Sequence, residues 1–255
     1  MTRSGARTVQ RLVNFRDLGG VRLAGGGVIP AGLLYRSDAP YAGDAVPDAV
    51  AAWPPATVID LRSSGESPAG YQWPAGVTVH HVPLIPEAAV VSKAGKAADG
   101  LPRSLDALYR LLVDRVPGRL ASLFAIAANA EAPVLVHCAA GKDRTGIAVA
   151  ALLLAGGAEP ADIVADYTAT AQNMPALLDR LRVLGQRLPA DIDPASELLA
   201  SPAAAISAVT EHLAGWPGGP RAWARAHGAS AADLRRWQQR LAGAAEAGIT
   251  AENPA

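Results

Sequence analysis

One cysteine, Cys138, stands six positions ahead of Arg144 in the run His137-Cys138-Ala139-Ala140-Gly141-Lys142-Asp143-Arg144-Thr145-Gly146. A thiolate is a strong nucleophile, and a guanidinium grips two oxygens of a phosphate in a planar fork. The spacing alone proves little. With 20 arginines in 255 residues, about one position in thirteen carries one, and a lone cysteine is often a small buried hydrophobe. The surroundings decide. Pro133-Val134-Leu135-Val136-His137 is a short apolar run expected to form a buried strand. Thr145 to Leu154 is apolar and ends on Gly156-Gly157, a helix with its stop signal. Between them Ala139, Ala140 and Gly141 let the backbone curl, so that successive N–H groups turn inward. Such a nest at a helix N-terminus binds phosphate and favours thiolate over thiol. Nucleophile, anion cradle and cationic clamp share ten residues.

The ten residues resemble the signature loop of the protein tyrosine phosphatase superfamily, and the longer likeness is to a bacterial branch with mycobacterial members. Four other segments carry it: Asn14-Phe15-Arg16-Asp17-Leu18-Gly19-Gly20, Leu34-Tyr35-Arg36-Ser37-Asp38, Asp60-Leu61-Arg62-Ser63-Ser64-Gly65-Glu66 and Asp162-Ile163-Val164-Ala165-Asp166-Tyr167. The likeness covers nearly the whole chain and is loosest from Pro217 to Gly243. It implies an α/β fold with a central sheet flanked by helices, and a two-step mechanism without metal or cofactor. Cys138 would attack phosphorus and form a phosphocysteine. Arg144 and the N–H groups of Ala139, Ala140, Gly141, Lys142 and Thr145 would hold the phosphoryl oxygens. His137 would support the cysteine, or be only a satisfied buried histidine. Thr145 would donate its hydroxyl to the thiolate, or only help start the helix.

A carboxylic acid must protonate the leaving alcohol and then activate water. Relatives with Lys-Asp inside the loop point to Asp143. That residue has a second reading, as an ion-pair partner orienting Arg62, Arg36 or Lys142. Glu87, in Pro83-Leu84-Ile85-Pro86-Glu87, is the alternative acid, and Asp99 lies in the presumed lid. Arg16, Arg36 and Arg62 face the phosphate pocket or are ordinary surface arginines. Asp17 and Asp60 are expected to hold loops. Lys142 adds a cation that suits a substrate with more than one phosphate, unless it pairs only with Asp143. The resemblance implies phosphotyrosine, phosphoserine or phosphothreonine, and phosphoinositides as substrates.

The elements that must position these groups follow from pattern. Val28-Ile29, Leu33 to Tyr35, Thr57 to Leu61 and Val77 to Val82 read as strands bounded by Gly and Pro. Leu105 to about Ala130 carries apolar residues at helical spacing, interrupted at Pro117-Gly118. Pro160 opens a helix through Tyr167, and further helices run from about Pro175 to Leu188 and from Ala203 to Leu213. Ser230 caps the last one, with Asp233 completing the box. Residues 86–104 lack a period and are expected as an exposed insertion or lid, and about 190–255 as a helical C-terminal layer. The whole chain is expected to be one phosphatase domain.

Composition excludes other classes. Formal net charge is zero, so no global field recruits nucleic acid. The Leu234 to Arg240 stretch is basic on one side, which reads as a solvated face with Trp237 packed inward. One cysteine permits no internal disulfide. No apolar run suits a membrane span and the first residues lack a signal-peptide core, so a cytoplasmic protein is the expectation, with signal-independent export open. Oligomeric state is not legible. Two rivals remain at this stage. A rhodanese-like sulfurtransferase also sets a cysteine in an anion loop after a strand, though Gly-Lys-Asp-Arg-Thr-Gly argues against it. A non-catalytic phosphate-binding module would lack the Cys, Arg or acid, and this chain keeps all three.

Overall fold

The computed structural model of the chain describes residues 10–48, 50–66, 71–84, 102, 104–184 and 200–243. Glu87, Asp99, nearly all of the expected 86–104 insertion and the 190–199 and 244–255 parts of the expected C-terminal layer lie outside them.

Five strands form the main sheet: β2 (Arg16–Asp17), β3 (Leu34–Ser37), β5 (Thr57–Asp60), β6 (Thr78–His81) and β7 (Val134–His137). Their order is β2-β3-β7-β5-β6, with β2 antiparallel and the rest parallel. Two short strands, β1 (Gln10–Arg11) and β4 (Asp44–Ala45), pair separately. All four β7 residues are buried, as expected of a central parallel strand covered on both faces. Alternation sorts its side chains. Val134 and Val136 enter the large core beneath the helices, while Leu135 joins Tyr35 and Val58 on the opposite face. Phe15, Trp53, Trp73 and Val77 cover that second cluster.

Seven helices follow among the described residues: α1 (Leu105–Arg115), α2 (Pro117–Asn129), α3 (Asp143–Gly156), α4 (Pro160–Val183), α5 (Ala203–Ala214), α6 (Gly219–Ala226) and α7 (Ala231–Leu241). The chain is an α/β protein with a mixed sheet and flanking helices, as the sequence suggests. α3 is buried from Arg144 to Gly156, the signature of a helix apolar on all sides. It ends where Gly157 adopts φ 96°, the left-handed stop that glycine reaches without strain.

Several boundaries differ from expectation. Val28 forms only an isolated bridge to Arg22. Pro175 lies inside one continuous helix, α4, rather than between two. The turns beyond Pro175 bury Leu177, Arg180 and Leu181, and that packing outweighs the missing backbone donor. Pro117 does divide α1 from α2. Ser230 caps α7, its hydroxyl oxygen accepting from Asp233 N at 3.0 Å. α6 is eight residues opening on Gly-Pro, too short to give a period.

α7 crosses α3 at a glycine. A Cβ on Gly156 would collide with the Leu241 side chain as it is placed, so glycine allows this approach without moving that side chain. Trp237 is fully buried there and donates from Nε1 to Leu152 O at 2.8 Å. Arg235 and Arg236 are exposed, with the Arg236 guanidinium donating to Asn129 Oδ1. Trp237→Ala is expected to lower unfolding free energy by about 3–5 kcal/mol, read as a reduced urea midpoint. A loss below about 1 kcal/mol would contradict the packing role.

Candidate active site

The parallel strands bring their C-terminal ends to one place, where open α/β sheets bind ligands. Ser37 at the end of β3 and Asp60 at the end of β5 both register against His137 at the end of β7. Cys138 follows immediately, 2% exposed, and α3 begins at Asp143.

The loop between is held by its carbonyls. Ala139 O accepts from Ala39 N at 3.0 Å. Ala140 O accepts from the Asn14 side-chain amide at 3.0 Å. Gly141 O accepts from Arg36 Nη2 at 2.7 Å. In a trans peptide the C=O and the next N–H point opposite ways, so the N–H groups of Ala140, Gly141 and Lys142 turn toward the loop's interior. Gly141 has φ 67°, and a Cβ there would collide with the Ser37 carbonyl and the Asp38 amide. The inward curl expected of this loop is formed, and glycine is required on two counts.

Each supporting side chain is itself anchored. Arg36 is fully buried and also donates to Asp166, which accepts from Arg16 as well. Arg16 donates on to Asn14 Oδ1 at 2.7 Å, closing the circuit to Ala140. Burial, then the neighbouring Arg36 charge, lowers Arg16 to about 10. Asp166 is held below its ordinary value because Arg36 and Arg16 outweigh the cost of burial. Asn14 is fixed by Asp38, which accepts from Asn14 N at 2.9 Å and pairs with Arg180 at 2.9 Å. Arg36 and Arg16 therefore serve the loop from behind. Asp17 holds a turn, accepting from Gly19 N and Gly32 N.

Arg144 sits 8% exposed with Nη1 and Nη2 donating to Glu66 Oε2 and Oε1 at 2.6 and 2.7 Å. Glu66 is tied down in turn by Ser63 N and Oγ. Two of the five guanidinium N–H groups are committed to Glu66, which leaves three not engaged by it. Burial opposes the Arg144 charge, but Cys138 as its thiolate and the bonded Glu66 carboxylate outweigh that and hold Arg144 above its ordinary value. Arg62, 6% exposed, is gripped by Asp60 at 2.7–3.2 Å. Burial is outweighed there too, by Asp60 first and in small part by Cys138.

Asp143 is a half-exposed carboxylate that accepts from Tyr109 OH. It pairs with neither Arg62 nor Arg36, and Lys142 Nζ is 3.5 Å away. The Lys142 side chain is 2% exposed, with Nζ donating to Ala200 O at 2.6 Å. Thr145 is buried and its hydroxyl has no hydrogen-bond partner among the described residues. His137 is buried, with Nδ1 donating to Cys138 O at 3.3 Å. Asn14, Glu66, Asp166, Tyr109 and Tyr167 complete the site and were not singled out from sequence. All but Tyr109 lie in the four segments that carry the resemblance.

The profile of the tyrosine phosphatase family matches residues 7–243. The chain belongs to that family. A Cupriavidus necator protein with a provisional tyrosine-protein phosphatase name is 35% identical over 205 residues, covering 74% of this chain and 72% of its own. The Mycobacterium tuberculosis triple specificity protein phosphatase PtpB is 44% identical over 63 residues, 24% of this chain and 23% of that protein. Membership makes this chain a phosphatase of phosphorylated substrates and displaces the sulfurtransferase reading. Among the described residues no helix is long and apolar enough to cross a membrane.

Two outcomes follow. Gly141→Ala is expected to weaken inhibition by inorganic phosphate by at least tenfold, since either the loop or Ser37 must shift; unchanged inhibition would refute the nest. Burial pushes His137 down to about 4 from 6.5. Between those values the unfolded chain binds a proton that the folded chain refuses, so stability falls as pH falls through this window. Asp60, Glu66 and Asp166, all lowered, extend the loss to more acid pH. From pH 7 to pH 5 the His137 contribution is about 2 kcal/mol, measured by urea unfolding. His137→Asn should flatten that slope, and an unchanged slope would assign it elsewhere.

Proposed function

We propose that the chain is a single-domain phosphoric monoester hydrolase in which Cys138 is the nucleophile, Arg144 the phosphate clamp and Asp143 the general acid and base. The observation that carries this reading is the loop whose three carbonyls are each engaged from outside, with Cys138 at its start and a Glu66-braced arginine at its end. In the first step the Cys138 thiolate forms the S–P bond as the P–O bond to the leaving alcohol breaks. Asp143 gives its proton to that departing oxygen. In the second, the Asp143 carboxylate takes a proton from water, whose oxygen bonds phosphorus as S–P breaks and the thiolate returns. Charge on the equatorial oxygens meets the N–H groups of the loop and Arg144.

Phosphotyrosine is the substrate placed first, with phosphoserine and phosphothreonine beside it. The triple specificity of the mycobacterial relative favours this breadth. Phosphoinositides are part of the proposal through Lys142, which must exchange the Ala200 carbonyl for a phosphate oxygen to serve a second phosphate. The cytoplasm is the proposed location.

A panel of phosphotyrosine peptide, phosphothreonine peptide and phosphoinositides tests the assignment. Cys138→Ser should abolish turnover of all three. Asp143→Asn should lower kcat by about 10²–10⁴, and Glu87→Gln should leave it near normal. Loss in Glu87→Gln with Asp143→Asn near normal would transfer the acid role to Glu87.

A further inference from the structure

Two tyrosines reach Asp143 from behind the phosphate loop. Tyr109 comes from α1 and Tyr167 from α4, and both are fully buried. Their rings meet edge to face at 6.0 Å and 87°. Tyr109 OH donates to Asp143 Oδ1, and its oxygen lies 2.7 Å from Tyr167 OH. Tyr109 has one proton and gives it to the carboxylate, so Tyr167 is the donor to Tyr109. The order is Tyr167 to Tyr109 to Asp143.

The packing that permits this chain is specific. A Cβ on Gly146 would lie 2.9 Å from Tyr167 Cδ2, so glycine at that position of α3 admits the ring. Burial first, then the charge of Asp143, holds the Tyr109 hydroxyl far above its ordinary range. Burial likewise raises Tyr167. Both stay protonated and act as donors at any working pH. Oδ1 also faces Lys142 Nζ at 3.5 Å, whereas Asp143 Oδ2 has no hydrogen-bond partner among the described residues.

We propose that Tyr109, backed by Tyr167, is a positioning residue for proton transfer: by occupying Asp143 Oδ1 it confines the transferable proton to Oδ2, the oxygen left for the leaving group. This rests on the reading of Asp143 as the acid. A carboxyl with two equivalent oxygens and a free torsion presents its proton correctly only part of the time. One fixed oxygen removes that loss. If the tyrosine pair were only core packing, its removal would affect all substrates alike.

Leaving-group dependence separates the two. A poor leaving group needs the acid, and a good one much less so. The experiment compares kcat/KM on phenyl phosphate and p-nitrophenyl phosphate for wild type, Tyr109→Phe, Tyr167→Phe and Asp143→Asn, with thermal melts confirming folding. Asp143→Asn should lose most on phenyl phosphate. Tyr109→Phe should lose about tenfold more on phenyl phosphate than on p-nitrophenyl phosphate, part of the 10²–10⁴ that a general acid supplies. Tyr167→Phe should act in the same direction and less. Equal losses on the two esters in Tyr109→Phe, with Asp143→Asn still discriminating, would overturn the tyrosine role alone. An Asp143→Asn ratio equal to wild type would overturn the acid assignment beneath it.

Discussion

The structure depends on where three carbonyl oxygens point. Ala139, Ala140 and Gly141 give their C=O groups to the Ala39 amide beyond β3, to Asn14 and to Arg36, and their neighbouring N–H groups are turned inward as a consequence. An unengaged loop would relax until those amides found partners of its own. Here the relaxation is blocked by buried groups that cannot leave without stranding charge. Arg36 and Arg16 share Asp166, and Asp38 binds Arg180. Removing one partner of such a cluster costs far more than the pair contributes.

That constraint explains the distribution of charge in a chain with no net charge. Arg16, Arg36 and Arg180 each bind a carboxylate and a carbonyl at once, which an ammonium does with less geometric control. Among the described residues Arg144 is held by Glu66 alone, which fixes the guanidinium in advance and would reduce the entropy lost if it clamps a phosphate as proposed. Lys142 is the contrast: a compact ammonium with a carbonyl and a carboxylate close by.

The strand, loop and helix around Cys138 were legible because local pattern and long-range role coincide there. The apolar run of β7, small residues, a glycine with positive φ and an apolar helix all lie within one short stretch. The reading of Asp17 and Asp60 as loop holders, and of Trp237 as inward, also agrees with the structure. Arg36 and Arg62 could not be placed, because a strand-end arginine looks the same on paper whether buried or solvated. Tyr109 was invisible as a site residue, since its spacing in α1 is that of any core position, and only tertiary packing sets its hydroxyl on Asp143. The continuity of α4 through Pro175 is another tertiary effect, in which burial overrides a local breaker. Glu66 and Asp166 carried a signal, their place in segments resembling the family, but nothing in the sequence said which group each would grip.

Cys138 as the point of covalent attachment is the claim on which the remaining chemistry stands. Rapid acid quench during turnover of an aryl phosphate, followed by peptide mass spectrometry, tests it directly. One phosphoryl group is expected on the peptide containing Cys138, formed within the first turnover and absent in Cys138→Ser. A phosphoryl group on another residue, or steady turnover by Cys138→Ser, would contradict it.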